Sequence, residues 1–427
     1  MKVAIIGLGR EGQSLYRYLR QQPEFRQADV WILDQNPKVK PPAGSKKQLG
    51  QNYLKGLDGF DLIFRSPGVP HRLIKQRLEN WRLEIRNYEL RLSSATKLFF
   101  EKCPCPIIGV TGTKGKGTTS TLIYKICQAC GRDVYLAGNI GQPALDILPK
   151  LKIGSLVILE LSSFQLQDLE RSPQVAVVLD IFPDHLDAHK NLKEYVEAKS
   201  QIARHQQSSD VIFYFVDNKD SLIISKKSRG RKISIYHYIS RKDRADLRRR
   251  VKIPGLHNWR NAQAAFAVTR YLGCPRAKIF KTIAKFRGNE HRLELVRRLN
   301  GVRYYNDSAS TNPQTTIAAA KAFKEPKIII AGGYDKNLDY RPWGEEFTKR
   351  RVKAVILIGQ TKNKIKKILS PKLSSCEDHN LKGAAELAKD LAKPGWLVLF
   401  SPGAASFDMF EDYRDRGQKF KKIVKSL

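Results

Sequence analysis

The chain has 427 residues, 41% of them hydrophobic, with 77 Lys and Arg against 41 Asp and Glu and a formal net charge of +36. That length suits two to four domains; no apolar run approaches the ~18 residues of a membrane span, no signal peptide opens the chain, and six cysteines do not make a disulfide framework, so a cytoplasmic protein with reduced thiols is expected. The charge admits nucleic acid, an anionic membrane surface or a basic cell interior as its reason, but it is spread along the chain, and the densest run, residues 226–252, carries no nucleic-acid module signature, so most of it reads as solvated surface.

Val3-Ala4-Ile5-Ile6 reads as a strand, and Gly7-Leu8-Gly9-Arg10-Glu11-Gly12 as a G-x-G-x-x-G loop. A second strand, Val30 to Asp34, ends in an acid at the distance a dinucleotide fingerprint requires. A third, Leu62-Ile63-Phe64, runs into Arg65-Ser66-Pro67-Gly68, a turn placed to offer N–H groups at a sheet's C-terminal edge.

A second segment begins near Ser93. Its apolar strand Ile107 to Val110 enters Thr111-Gly112-Thr113-Lys114-Gly115-Lys116-Gly117-Thr118-Thr119, and an amphipathic helix follows. Small residues let backbone N–H groups close on phosphate oxygens, the helix N-terminus adds partial positive charge, and Lys116 reaches the terminal phosphates. The pattern predicts nucleoside triphosphate binding; a Gly-rich turn with a solvated lysine is the plain alternative. Gly117 stands where a Mg²⁺-ligating hydroxyl is usual, so Thr118, one residue on, must substitute. Strands 156–160 and 175–180 both end in an acid, the pattern of buried parallel strands with polar work at the tip. Helical spacing returns at 192–202 and at 261–272. Cys127-Gln-Ala-Cys130 falls on the loop-following helix, where small buried thiols are expected rather than zinc, since no matching second pair exists.

Polar clusters follow. Glu160 ends a strand, and Asp184-His185-Leu186-Asp187 follows the next; a carboxylate and an imidazole near a triphosphate can hold a divalent cation, or His185 caps a helix or sits in the core. Asn258 and Asn261 stand three apart at a helix start, facing one ligand or serving as an ordinary N-cap. Arg292, Asn306-Asp307-Ser308, Gly332-Gly333-Tyr334-Asp335-Lys336 and Ser401 to Asp408 lie in loops of a third segment, whose strands are 328–333, 354–359 and 397–401. Strand–helix alternation throughout predicts three α/β units: residues 1–92, 93–289 and 290–427.

Over essentially its whole length the chain resembles the Mur ligase family. The resemblance rests on T-G-T-K-G-K (111–116), L-A-G-N-I-G (136–141), L-E-L-S-S-F-Q-L (159–166), D-H-L-D (184–187), P-G-L-H-N-x-x-N (254–261), H-R-L-E (291–294), N-D-S-x-x-T-N (306–312), A-G-G-x-D-K (331–336) and S-P-x-x-A-S-F-D (401–408). The E-L-S-S-F-Q-L and S-P-x-x-A-S-F-D runs are most similar to the member that adds D-glutamate to UDP-N-acetylmuramoyl-L-alanine in peptidoglycan precursor synthesis. The resemblance implies a Rossmann-like first domain for the UDP-substrate, a P-loop ATPase-like central domain with a mostly parallel sheet, and a Rossmann-like third domain for the amino acid.

It also implies residue roles. Gly112, Thr113, Lys114, Gly115, Lys116, Gly117, Thr118, Thr119, Asn258, Asn261, Arg292 and Asp307 would bind ATP. Thr118, Glu160, His185 and a carbamylated Lys199 would hold Mg²⁺, with Lys116, Lys199 and His185 serving catalysis. Asp34, Gln35, Ser66, Gly68, Asn139, Ser162 and His185 would meet the UDP-substrate; Thr311, Lys336, Ser406 and Tyr413 would meet the amino acid. Sequence alone reads Lys199, in Glu197-Ala198-Lys199-Ser200, as an exposed helix lysine; an unmodified amine beside Mg²⁺ would point away into solvent. Ala309 stands where a lysine is usual in these ligases, and Tyr413 where a phenylalanine is usual. A monomer with small-molecule substrates, no specific nucleic acid and no membrane insertion is expected. A folylpolyglutamate-synthase-like ligase is favoured only by the G-K-G-T loop, and such enzymes lack the first domain. A basic nucleic-acid-binding NTPase would need clustered basic faces, and a subunit that amidates a lipid-linked precursor would carry a zinc ribbon, which is not found.

Overall fold

The computed structural model describes residues 1–79, 92–184, 188–371 and 373–427. The chain divides into two compact units, one of residues 1–250 with 260–283 and the other of 251–259 with 284–427.

The first unit holds two sheets, each parallel throughout. In spatial order the first is Lys46–Leu49, Asp29–Asp34, Lys2–Ile6, Leu62–Arg65, Leu92–Ser93. The order reverses between Lys2–Ile6 and Leu62–Arg65, so their C-terminal ends open a crevice there, the usual ligand site of a doubly wound sheet. The glycine loop and the Ser66–Gly68 turn are the two lips of that crevice. Gly12 is required by packing: a Cβ on it would lie 2.2 Å from Gly7 O, so only glycine lets the helix Arg10–Gln21 start against the strand.

The second sheet runs Arg231–Ser234, Val211–Tyr214, Val175–Val178, Ile107–Thr111, Leu156–Glu160, Val134–Gly138. Val, Ile and Leu fill the central strands on both faces, as a sheet covered by helices on both sides demands. The strand expected over 175–180 ends at Val178, because Leu179 and Asp180 turn inward to hold the phosphate loop. The helix Leu192–Arg204 is capped by Asn191, whose side chain accepts from Glu194 N. One apolar core runs unbroken from the first sheet into the second, from Val3 and Phe64 through Phe99 to Val157 and Ile212.

Polar bridges reinforce that joint. Arg65, 1% exposed, donates to Asp168 Oδ2 at 2.7 Å and to the carbonyls of Phe164 and Val69 at 2.6 and 2.8 Å. A buried guanidinium so fully matched is strongly destabilising to break, by about 3–5 kcal/mol. Gln165 Nε2 donates to Glu11 at 2.6 Å, and Ser14 Oγ donates to Asp146 at 2.6 Å.

The second unit is built on one mixed sheet: Glu294–Leu299, Val302–Asn306, Leu397–Phe400, Lys327–Gly332, Val352–Ile358, Ser374–Glu377, antiparallel only in its first pair. Its order reverses between Leu397–Phe400 and Lys327–Gly332, which places the loops beginning at Gly333 and Ser401 at its crevice. Each sheet thus presents its predicted motif loops where a parallel fold binds ligands.

Candidate active site

The first-sheet crevice opens into a cavity of about 700 Å³. Asp34, Gln35, Ser66, Gly68 and Asn139, all expected at the UDP-substrate, line it together. Asp34 Oδ2 accepts from Leu8 N and Oδ1 from Asn36 N, both at 2.8 Å; Ser66 Oγ donates to Gly7 O at 2.6 Å. The acid that would chelate a dinucleotide ribose is here tied to its own glycine loop. Ser162 is not among the lining residues. Its hydroxyl accepts from Gln165 N and donates to Gln165 Oε1, closing a capping box on the short Ser163–Leu166 helix.

Asn139 connects this cavity to the second sheet. Its side chain donates to Glu160 Oε1 at 3.0 Å, and its N–H to Glu160 O at 3.1 Å. Glu160 ends Leu156–Glu160, is 4% exposed, and pairs in register with Val110 of the strand that feeds the phosphate loop.

The phosphate loop is held from below. Thr113 N donates to Asp180 O at 2.9 Å, and its hydroxyl engages Phe182 O, Phe182 N and the Tyr195 hydroxyl at 3.0, 2.9 and 3.1 Å. Gly115, the N-cap of the helix Lys116–Ala129, has φ 89°, which L side chains resist. A Cβ there would also stand 2.1 Å from Asn261 Oδ1. Asn261 therefore touches the loop itself. Helical spacing was expected from 261, with Asn258 and Asn261 at the helix start; the helix begins earlier, and Leu256–Tyr271 contains both. Arg260, which sequence reading passed over, anchors that helix by bidentate contacts to Asp180 and to Asp217, at 2.6–2.7 Å and 2.7–3.0 Å. Thr118 is half-buried on the first helical turn and Lys114 is exposed; Gly117 follows Lys116, and the buried Thr119 hydroxyl has no partner among the described residues.

Two lysines converge on one carbonyl. Lys116 Nζ donates to Gly112 O and Thr113 O, both at 3.0 Å. Lys199 Nζ donates to the same Gly112 O at 3.1 Å and contacts Thr111 Oγ1 at 3.4 Å, with its nitrogen 4.6 Å from the centre of the Tyr195 ring. The reading of Lys199 as an exposed lysine is overturned, as is the corollary that an unmodified amine points to solvent: it is 1% exposed. The helix Leu192–Arg204 buries Tyr195, Lys199 and Ile202 on one face, so the lysine has nowhere else to go. Burial, and after it the Lys116 charge, push the Lys199 ammonium well below its ordinary range, against the pull of Asp184 and Glu160. His185 lies outside the described residues.

Among the residues expected at the nucleotide, Asn258, Arg292 and Asp307 belong to the second unit. Asn258 is 7% exposed and Arg292 exposed. Asp307 accepts from Leu293 N, Ser310 Oγ and Ser401 Oγ at 3.2, 2.5 and 2.8 Å; burial raises its carboxyl to about 6. Of the residues expected at the amino acid, Lys336 and Ser406 lie on the two loops at the crevice of that unit's sheet. Tyr334 N donates to Ala405 O at 2.9 Å and so joins the Gly333 and Ser401 loops. Exposed Lys336 then lies 5.5 Å from the centre of the Phe407 ring, next to buried Ser406. Tyr413 starts the helix Tyr413–Ser426, and its carbonyl accepts from Ser308 Oγ at 2.8 Å; Thr311 is half-buried nearby in sequence. Arg416 was not foreseen. Buried at 1% exposure, it donates to Ser308 O, Ala404 O and Ala405 O and so ties the N-D-S and S-P-x-x-A-S loops together.

Residues 110–253 match the Mur ligase middle domain, and residues 291–403 the Mur ligase glutamate ligase domain. The chain is 36% identical to the UDP-N-acetylmuramoylalanine--D-glutamate ligase of Acetivibrio thermocellus, covering 100% of this chain and 96% of that protein. The ligase of the same name from Clostridium acetobutylicum is also 36% identical, with the same coverage. Two solved structures from Thermotoga maritima share the fold: a UDP-N-acetylmuramate-alanine ligase (TM-score 0.57, 16% identity, 100% of this chain and 99% of that one) and a MurF ligase in complex with ADP (0.57, 16%, 99% and 95%).

Proposed function

The chain belongs to the Mur ligase family, and on that premise we propose that it joins D-glutamate to UDP-N-acetylmuramoyl-L-alanine with conversion of ATP to ADP and phosphate. The observation that carries this reading is the full-length match to D-glutamate ligases at 36% identity, with the cavity, the phosphate loop and the glutamate-ligase domain all in place. The substrate carboxylate attacks the γ-phosphorus and releases ADP. The amine of the amino acid then attacks the acyl carbon, and phosphate leaves as the amide forms.

Such a transfer needs positioning and charge neutralisation more than proton shuttles. Lys116 and the loop N–H groups bind the transferring phosphoryl. Asn139 touches both the substrate cavity and Glu160, and so aligns the substrate's terminal carboxylate with the loop. Lys336 pairs with a carboxylate of the incoming amino acid, with Ser406, Thr311 and Tyr413 around it. Gly112, Thr113, Lys114, Gly117, Thr119, Asn258, Asn261, Arg292 and Asp307 complete the ATP contacts.

Mg²⁺ fits the donor set with one condition. Thr118 and Glu160 offer hard oxygens, yet among the described residues no group of three His, Cys, Asp or Glu is gathered for a metal, and two lysine nitrogens share Gly112 O beside them. Carbamylation meets that condition. The Lys199 amine, whose ammonium form burial disfavours, attacks CO₂ in its neutral form; an N–C bond forms, a proton leaves to solvent, and the amine becomes an anionic oxygen ligand. Mg²⁺ held by Thr118, Glu160, His185 and that carbamate would neutralise developing phosphoryl charge. We read the enzyme as a cytoplasmic monomer; no helix among the described residues is long and apolar enough to cross a membrane. ADP release measured with UDP-N-acetylmuramoyl-L-alanine and a panel of amino acids tests the whole reading: turnover with D-glutamate alone supports it, and turnover with another amino acid, or none, overturns it.

A further inference from the structure

The middle sheet ends on the strand Arg231–Ser234, which among the described residues pairs only with Val211–Tyr214. The chain enters and leaves this edge through its most basic stretch: residues 226–250 hold eleven Lys and Arg and two Asp. The two acids face inward. Asp243 and Asp246 both bind Arg276, at 2.5 and 2.9 Å, and Leu247 of the same helix is fully buried. The helix Arg241–Arg250 therefore turns its acidic and apolar side to the protein and presents Arg241, Lys242, Arg248 and Arg249 outward, positions that share one face at helical spacing. Lys226, Lys227, Arg231, Lys232, Arg241 and Lys242 are all exposed and have no carboxylate partner among the described residues.

Aromatic groups stand among these charges. Tyr236 and Tyr238, on the short helix Ile235–Tyr238 between strand and basic helix, are 47% and 40% exposed. Arg244 joins the two helices, donating to the Tyr236 and Ile239 carbonyls, and its guanidinium lies 4.1 Å from the centre of the Tyr236 ring. That face of the ring is thereby covered against a stacking nucleobase, while the residue as a whole stays about half exposed. Cations outward on a convex helix with half-exposed tyrosines beside them match a flat, anionic, interfacial partner: basic side chains meet lipid phosphates, and tyrosine settles at headgroup depth.

We propose that this edge, formed by residues 226–250, docks the enzyme reversibly on an anionic lipid bilayer. The edge strand stands three positions along the sheet from Ile107–Thr111, the strand that feeds the ATP loop, and docking there gives part of the +36 charge a use beyond solubility. The test is flotation of the full chain with phosphatidylcholine vesicles, with and without a third of phosphatidylglycerol, at ~0.15 M salt. Partition onto the anionic vesicles at least about tenfold above the neutral ones is expected. Lys226→Glu/Lys227→Glu/Arg241→Glu/Lys242→Glu should lower it on the order of a hundredfold while ligase turnover in solution stays at wild type, which also reports that the variant is folded. Replacing the same four residues by Gln should give the same loss in weaker form, and Tyr236→Ser/Tyr238→Ser should weaken the binding that persists at high salt. Equal partition onto both vesicles, or undiminished binding by the charge-reversed variant, overturns the proposal. So does retention by single-stranded RNA that anionic vesicles do not compete for, which would make the face a nucleic-acid surface.

Discussion

Replacing Gly115 by Ala isolates the contact between the phosphate loop and Asn261. The backbone there has φ 89° and ψ −11°, a left-handed conformation that costs an L residue roughly 1–2 kcal/mol. The new Cβ would lie 2.1 Å from Asn261 Oδ1, so the buried carboxamide must move by more than an ångström, a forced repacking that costs about 1–2 kcal/mol. Together about 2–4 kcal/mol of loop stability is at stake, which should appear as a drop in thermal midpoint and a roughly 5- to 30-fold loss of ADP affinity if half of it reaches the bound state. Asn261→Ala removes the obstacle but not the backbone strain. In a double-mutant cycle read by ADP calorimetry, Gly115→Ala should therefore cost less in the Asn261→Ala background, by about 1 kcal/mol or more. Additive losses would mean that the two residues do not press on each other, and the account of Asn261 as part of the loop would be wrong.

Lys116→Ala should abolish turnover in a folded protein, by on the order of a hundredfold or more; near-wild-type ADP release would remove Lys116 from the mechanism. Thr118→Val keeps shape and removes the oxygen, so the Mg²⁺ requirement should rise strongly, and an unchanged Mg²⁺ titration would assign the ligand elsewhere. Lys199→Ala should lose activity and regain part of it with a small carboxylate or chloride; full activity at low CO₂ would rule out the carbamate. Asp307 has its carboxyl raised to about 6 by burial, so its contribution to stability is fully present below about pH 4 and is lost as pH rises through about 6. That difference of about two pH units corresponds to ~3 kcal/mol. Asp307→Asn should flatten this decline, and a wild-type-minus-variant difference in urea midpoint that stays constant with pH would refute the assignment.

The strands were legible because buried parallel strands are apolar runs that stop at a polar residue, as Leu156–Glu160 does. The phosphate loop was legible because its glycines and lysine serve local backbone geometry. The burial of Lys199 was not legible because it depends on what lies across from the helix. The spacing of Tyr195, Lys199 and Ile202 on one face held the signal, yet a charged residue on an apolar face is easily assigned to its edge. The partners of Arg65 and Arg416 could not be read at all. Arg65 meets Asp168 across 103 residues of sequence, and Arg416 sits in a helix rich in exposed charges, where nothing local marks one arginine as interior. Asn261 was identified by its motif, but its pressure on Gly115 is a matter of tertiary distance.

The bridges between the first and second sheets bear on modularity. Arg65 reaches Asp168 and Phe164, Gln165 reaches Glu11, Asp146 receives Ser14, and Gly138, Asn139 and Pro143 line a cavity whose remaining walls come from the first sheet and its loops. If the N-terminal segment binds the UDP-substrate as proposed, substrate selection is thus not its detachable property. A chimera that exchanges residues 1–92 for those of a ligase with a different precursor would inherit mismatched sockets at Asp146, Gln165 and Asp168, and would have to import the facing residues of the central domain before it could import the specificity.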